Sequence, residues 1–213
     1  MPVIEVYADI WCPFAHVGLR SVVRRRNELE RDDVVMRVRA WPLELVNGAP
    51  LDRRSTAEHV DELRTQVASD LFGHFDPDHF PHTSLPALAV AAAAYRRDNM
   101  TGETVSLALR NALFEEGRDI SRPDVLAGVA NAHGIGAPDA DDHEAVLAEW
   151  HAGESRGVKG SPHFFCENIE VFCPSLDISK TEEGHLQLRR NTEALDSFLA
   201  RCFKESTRGN TPN

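Results

Sequence analysis

The stretch Asp9-Ile10-Trp11-Cys12-Pro13-Phe14-Ala15 decides how this sequence is read. Ahead of it, Val3–Ala8 is an apolar run of strand length. Behind it the period changes. Ala15, Leu19, Val22 and Val23 recur at i, i+4, i+7 and i+8, the stripe of an amphipathic helix. Pro13 suits the first position of that helix, where a backbone N–H would have no partner anyway. Cys12 therefore stands where a strand ends and a helix begins. A cysteine there faces unpaired N–H groups and the positive end of the helix dipole, and both favour the thiolate. Cysteines so placed have pKa values of about 3.5–7.5, against about 8.5 when free. A free cysteine is more often a small buried hydrophobe. The strand–Cys–Pro–helix setting instead predicts a reactive thiol.

Outward from this stretch, residues 34–41 alternate Met36, Val38 and Ala40 against Arg37 and Arg39, the period of a half-buried strand. Residues 3–41 thus read as a βαβ unit with a parallel pair and a right-handed crossover. Residues 56–156 are helical in pattern, with segments near 56–72, 85–98, 102–116, 122–133 and 140–156. Ser121-Arg122-Pro123-Asp124 resembles a capping box, and Gly134 closes the helix that follows. Asp139, Asp141, Asp142 and Glu144 suit another helix start.

Strands return at His163–Cys166 and residues 170–173, about a turn at Asn168 that sets Cys173 opposite His163. Leu195, Phe198, Leu199 and Cys202 mark a last amphipathic helix. Residues 206–213 are polar and expected to be disordered. Across the helical block the outer pieces join as βαβ-ββα, the thioredoxin order. The expected fold is α/β, with a discontinuous thioredoxin-like domain of residues 1–55 and 157–205. An all-helical insertion fills residues 56–156.

A second motif, Val158-Lys159-Gly160-Ser161-Pro162-His163-Phe164-Phe165, carries a proline entering a strand. Such a proline forfeits a ladder donor and needs a reason. An ordinary trans proline at a strand's first residue would do. Between βαβ and ββα, the better reading is a cis X–Pro bond that sets backbone groups beside the reactive cysteine, as thioredoxin folds have it.

Together the two motifs resemble the cytosolic DsbA-like oxidoreductases, including FrnE-type proteins. DIWCPFAHVGL is similar to that group's D-x-x-C-P-[WF]-[CA]-x-x-G, and GVKGSPHFF is similar to its cis-proline loop. The related branch of 2-hydroxychromene-2-carboxylate isomerases and kappa-class glutathione transferases is similar too. The resemblance implies that Cys12 is the nucleophile and that Ser161-Pro162 faces it. Trp11, Pro13, Phe14, His16, Ser161, Pro162 and His163 are the expected substrate-binding residues, with His16 either tuning Cys12 or exposed on the helix. Phe80-Pro81-His82-Thr83-Ser84 is implied as a wall between insertion and thioredoxin unit.

One departure matters: Ala15 stands where the second cysteine of Cys-x-x-Cys would be. Without that partner Cys12 has no neighbouring thiol to resolve a mixed disulfide. Cys166 lies about 13 Å along the strand from Pro162, beyond the roughly 7 Å Cα separation a disulfide tolerates. Cys173 and Cys202 show no sign of serving either. The expected activity is thiol–disulfide exchange by a monothiol route, with glutathione or mycothiol as co-substrate and no tightly bound cofactor. Alternatives are a glutathione- or mycothiol-dependent isomerase or transferase, or a non-catalytic binding protein.

Composition narrows the partners. A net charge of −11 over 213 residues disfavours nucleic-acid binding. No apolar run nears the ~20 residues that span a bilayer, and the N-terminus lacks the pattern of a signal peptide. The expected location is cytoplasmic, and the expected partner is a small thiol or disulfide, or a protein thiol. A homodimer stays open. His74, His79 and His82 share a loop, but their spacing fits no standard zinc pattern, so no metal is expected.

Overall fold

The computed structural model describes residues 2–208. Strand β1 (Val3–Ala8) leads through Cys12 into helix α1 (Pro13–Glu28), and β2 (Val35–Ala40) returns parallel to β1. Helices α2 (Leu43–Val46), α3 (Arg53–Gln66), α4 (Leu85–Arg97), α5 (Asn99–Phe114), α6 (Pro123–Ala132) and α7 (Ala140–Arg156) follow. Strands β3 (His163–Cys166) and β4 (Ile169–Phe172) complete a sheet ordered β2-β1-β3-β4, antiparallel beyond β1. A hairpin of β5 (Leu176–Lys180) and β6 (Leu186–Arg190) intervenes before α8 (Thr192–Arg208). This is a thioredoxin fold with a helical insertion. Helix α8 runs three residues into the expected tail, and residues 209–213 lie outside the described residues.

The sheet is buried on both faces. Ile4, Val6 and Ala8 of β1 meet Met36, Val38 and Phe164 under α1 and α8, which contribute Leu19, Val22, Leu195, Phe198 and Leu199. Tyr7 and Phe165 point the other way and pack with Trp41 against Trp150 of α7. Gly153 permits that approach, since a Cβ there would lie 2.6 Å from the Trp41 ring.

The insertion also closes the free edge of the sheet. Alternate N–H groups of β2 find side-chain acceptors: Met36 donates to Glu103 (2.6 Å), Val38 to the Tyr95 hydroxyl (2.8 Å) and Ala40 to Glu149 (2.8 Å). Each such group left buried and unpaired would cost about 1–3 kcal/mol. These bonds dock α4, α5 and α7 onto the edge strand and guard it from pairing elsewhere.

Three expectations change. The Ser121 capping box does not form: Arg122 occupies the N-cap of α6 and makes no side-chain cap bond, because Ser121 is held by Asp119. A capping box appears instead on α7, where Asp139 and Asp142 close it reciprocally. The β3–β4 turn is one residue tighter than expected, with Glu167 at φ 51° and Cys166 paired to Ile169. Phe172 therefore lies opposite His163, and Cys173 moves up to Pro162. The β5–β6 hairpin has no counterpart in the expected layout. Leu186 and Leu188 are buried while Gln187 and Arg189 face out. Its backbone is bonded to side chains of α3: Leu186 N–H to Glu62 (3.0 Å) and Leu188 N–H to Gln66 (2.9 Å).

Candidate functional site

Cys12 caps α1 in extended backbone, with Pro13 next, but its side chain makes no cap bond to the first-turn N–H groups. The thiol donates to the Ser161 carbonyl at 3.2 Å, and the Ser161 hydroxyl accepts from Asp9 N–H at 3.0 Å. Ser161 thus ties both ends of the strand-to-helix junction to the loop before β3. The Ser161–Pro162 peptide is cis. Gly18, one and a half turns into α1, makes room for it: a Cβ there would lie 3.1 Å from the Pro162 ring.

Aromatic residues close around this core. Trp11 is fully buried and stacks on Phe80 with ring centroids 5.7 Å apart. Phe14 tilts onto His59 of α3 at 5.4 Å. In the segment 80–84, Thr83 and Ser84 are anchored by Glu44. Cys12 itself is only 4% exposed.

His16 is not an exposed helical histidine. It is fully buried, and Nε2 lies 2.6 Å from Glu115 of the turn after α5. Burial pushes His16 below its usual value. Burial also opposes the ionised Glu115, but His16 and the N–H groups of Phe72 and Gly73 outweigh it and hold that carboxyl down at about 2. At neutral pH a neutral imidazole donates to a carboxylate. His163 points to the opposite face of the sheet from Pro162, against Phe165 (4.3 Å between ring centroids), and accepts from Lys159 N–H. Cys12, Pro13, Phe14, Ser161 and Pro162 therefore converge; Trp11 and His16 support them from beneath, and His163 stands apart.

The expectation of a depressed Cys12 pKa is overturned for this closed arrangement. Burial pushes the thiol up, and the nearby negative charge of Asp9 adds to it. The Ser161 bond and the N–H groups of Ala15 and Phe14 oppose this without prevailing. A helix start favours the thiolate only where solvent or a guest also sustains the charge; here the sulfur is buried and neutral.

Sequence reasoning passed over two charged groups beneath the thiol. Asp9 is fully buried and its carboxyl is pushed up to about 6 by burial, against the pull of Leu43 N–H, Ser84 and Arg110. Arg110 of α5 is equally buried, donates to the Asp9 carbonyl at 3.1 Å, and is pushed down to about 10. Asp9 opens the quoted motif and could have been singled out there; Arg110 lies mid-helix with no local signal. Histidines 74, 79 and 82 bond separately to the Glu115 carbonyl, Asp76 and Ser121. Among the described residues no group of three potential ligands converges on a metal position, and no helix is long and apolar enough to cross a membrane.

A sheet of this order, one cysteine at the start of its first helix, and a cis-proline peptide bonded to that cysteine define a thioredoxin-fold chain with a single helix-capping thiol. The chain belongs to the DSBA-like thioredoxin domain family, which it matches over residues 3–183. Its fold is similar to that of a 2-hydroxychromene-2-carboxylate isomerase (TM-score 0.67, 14% identity, covering 98% of this chain and 100% of that one). It is also similar to the cytosolic disulfide reductase DsbM from Pseudomonas aeruginosa (TM-score 0.60, 19% identity, 98% and 100%) and to the form of that protein with GSH (TM-score 0.57, 16% identity, 98% and 100%). At these identities the likeness establishes the fold. No curated protein sequence matches the chain.

Proposed function

We propose that the protein is a cytoplasmic thiol–disulfide oxidoreductase that works through Cys12, with a small thiol such as glutathione or mycothiol releasing the adduct. The observation that carries this reading is the junction itself. Cys12 caps α1 without filling its first turn, and its sulfur lies 3.2 Å from the carbonyl of Ser161, next to Pro162. A guest disulfide that offers its own N–H to that carbonyl displaces the Cys12 thiol from it. The freed sulfur keeps the N–H groups of Phe14 and Ala15 nearby, which favour its thiolate. Cys12 attacks one guest sulfur and the other leaves as a thiol. A glutathione thiolate then attacks the adduct and restores Cys12. Membership of the family and the solved DsbM complex with GSH support this choice of thiol.

The neutral thiol of the closed site favours a second reading, in which Cys12 orients a bound glutathione thiolate for isomerisation or group transfer. Glutathione-coupled reduction of a small mixed disulfide separates the two. The oxidoreductase reading expects turnover by the wild type and a loss of about 100-fold or more in Cys12→Ser. Equal rates in the two would overturn it in favour of the isomerase or transferase.

A further inference from the structure

One carboxylate, outside both sequence motifs, holds together the parts of the molecule that meet around Cys12. Glu115 lies in the turn after α5. Its side chain accepts from Phe72 N–H at 3.1 Å and from Gly73 N–H at 3.2 Å, and its carbonyl accepts from His74 Nδ1 at 3.0 Å. The same carboxylate takes His16 Nε2 at 2.6 Å. His16 sits one turn into α1, where its backbone N–H donates to the Cys12 carbonyl at 3.1 Å. One turn further on, Arg20 donates to Asn111 of α5. The start of α1 and the loop after residue 71 are thus fastened to one point.

The loop so held begins on strained backbone. Phe72 has φ 65° and is fully buried; left-handed backbone is uncommon for a bulky residue and is kept where a functional arrangement needs it. From Phe72 a run of ring contacts returns to the thiol. Phe72 meets Phe114 with centroids 5.4 Å apart, and Phe114 meets Phe75 at 5.8 Å. Phe75 meets Phe80 at 6.2 Å, and Phe80 stacks on Trp11 at 5.7 Å. Trp11 immediately precedes Cys12. Glu115 is therefore joined to the cysteine twice, through His16 and through Phe80 and Trp11. Phe14, Phe75 and Phe80 are partly exposed, so apolar ring surface stands open beside a buried sulfur.

We infer that Glu115 is a positioning residue for guest binding, fixing the Phe75–Phe80 loop against the start of α1 so that a guest resting on these rings presents its sulfur to Cys12. The inference rests on Cys12 being the attacking thiol and extends that reading to the other half of the guest. It commits to a guest class, a disulfide whose leaving half is aromatic, because such a half covers Phe14, Phe75 and Phe80 and gains both burial and ring contacts. Glu115 itself touches neither guest nor sulfur. Its loss frees the rings and leaves the chemistry of the thiol as it was.

The test uses the full chain and a neutral aromatic disulfide, dithiodipyridine, with Cys12→Ser as the background from the other cysteines. Cys12 attacks one of its sulfurs, the sulfur–sulfur bond breaks, and the pyridine half leaves with the electron pair and the Cys12 proton; its absorbance gives the rate. The inference expects the half-saturating concentration to rise about tenfold in Glu115→Ala at an unchanged limiting rate, the sign of lost binding without lost chemistry. Glu115→Gln keeps an oxygen for the Phe72 and Gly73 N–H groups and recovers most of that loss. Phe80→Ala leaves the Glu115 bonds in place and removes the ring, so it must raise the same concentration. Alkylation of Cys12 by iodoacetamide, which needs no guest surface, keeps its rate and its pH profile in all three. An unchanged half-saturating concentration in Glu115→Ala or in Phe80→Ala would overturn the inference. Alkylation slowed as much as the disulfide reaction, or Glu115→Gln as impaired as Glu115→Ala, would overturn it too. No reaction of wild-type Cys12 with either reagent would overturn the reading of Cys12, and this inference with it.

Discussion

Helices α1 and α7 begin in opposite ways. At α7, Asp139 and Asp142 satisfy the first turn from within, the two side chains each accepting the other residue's N–H at 3.1 and 2.9 Å. At α1, the N-cap side chain turns to Ser161 and leaves the first turn without a side-chain cap. The first arrangement completes a helix end from its own side chains. The second leaves donors and a sulfur together under Pro162 and a cover of aromatic rings. A helix start completed by its own residues serves stability; one left incomplete beside a thiol is available to a guest.

The largest change comes from putting a second thiol into the incomplete start. Ala15→Cys places a resolving sulfur one helical turn from Cys12, where the two side chains can meet. The account expects reduction of insulin to speed up about tenfold or more relative to the wild type, because the new thiol bypasses the external step. Turbidity of reduced insulin measures it. Equal rates would mean that resolution does not limit the wild type.

An intermediate effect is expected from the buried carboxyl under α1. Burial raises Asp9 from its ordinary 3.8 to about 6, so the folded chain binds that proton more tightly than the unfolded one. The stability this contributes is complete below about pH 4 and is lost as pH rises through about 6. Asp9→Asn imitates the protonated form. It should be more stable than the wild type by about 1–3 kcal/mol at pH 8, and by little at pH 4. Denaturant unfolding at the two pH values tests this. Removing the charge should also lower the Cys12 pKa, since Asp9 now raises it.

The smallest effect belongs to the completed start. Asp139→Ala opens the α7 capping box and should cost about 1 kcal/mol in unfolding free energy. The rate of adduct formation on Cys12 should not change, because α7 packs on the other face of the sheet from α1. A slowed adduct would show that the two helix starts are coupled.

What the sequence revealed follows the range of the forces involved. The strand before Cys12, the helix after it and the proline before β3 are written in periods a few residues long, and all three are in place. The turn between β3 and β4 depended on which residue takes left-handed backbone. Asn168 was the natural candidate for it, but Glu167 does so, and one residue of slip moved Cys173 from His163 to Pro162. The β5–β6 hairpin was invisible because few of its residues are apolar and its docking partners, Glu62 and Gln66, lie 124 and 122 positions away. His16 looked like a surface residue for the same reason: its partner Glu115 is 99 positions along the chain. The acidity of Cys12 was misjudged because position at a helix start is local, whereas the burial that outweighs it comes from the whole fold.

The central claim is that the start of α1 was left incomplete for a guest sulfur at Cys12. Intact mass of the wild type and of Cys12→Ser, within minutes of mixing with oxidised glutathione, tests it most directly. The account predicts one glutathione adduct on the wild type, mapped to Cys12, and none on Cys12→Ser. An adduct on both, or on neither, would contradict it.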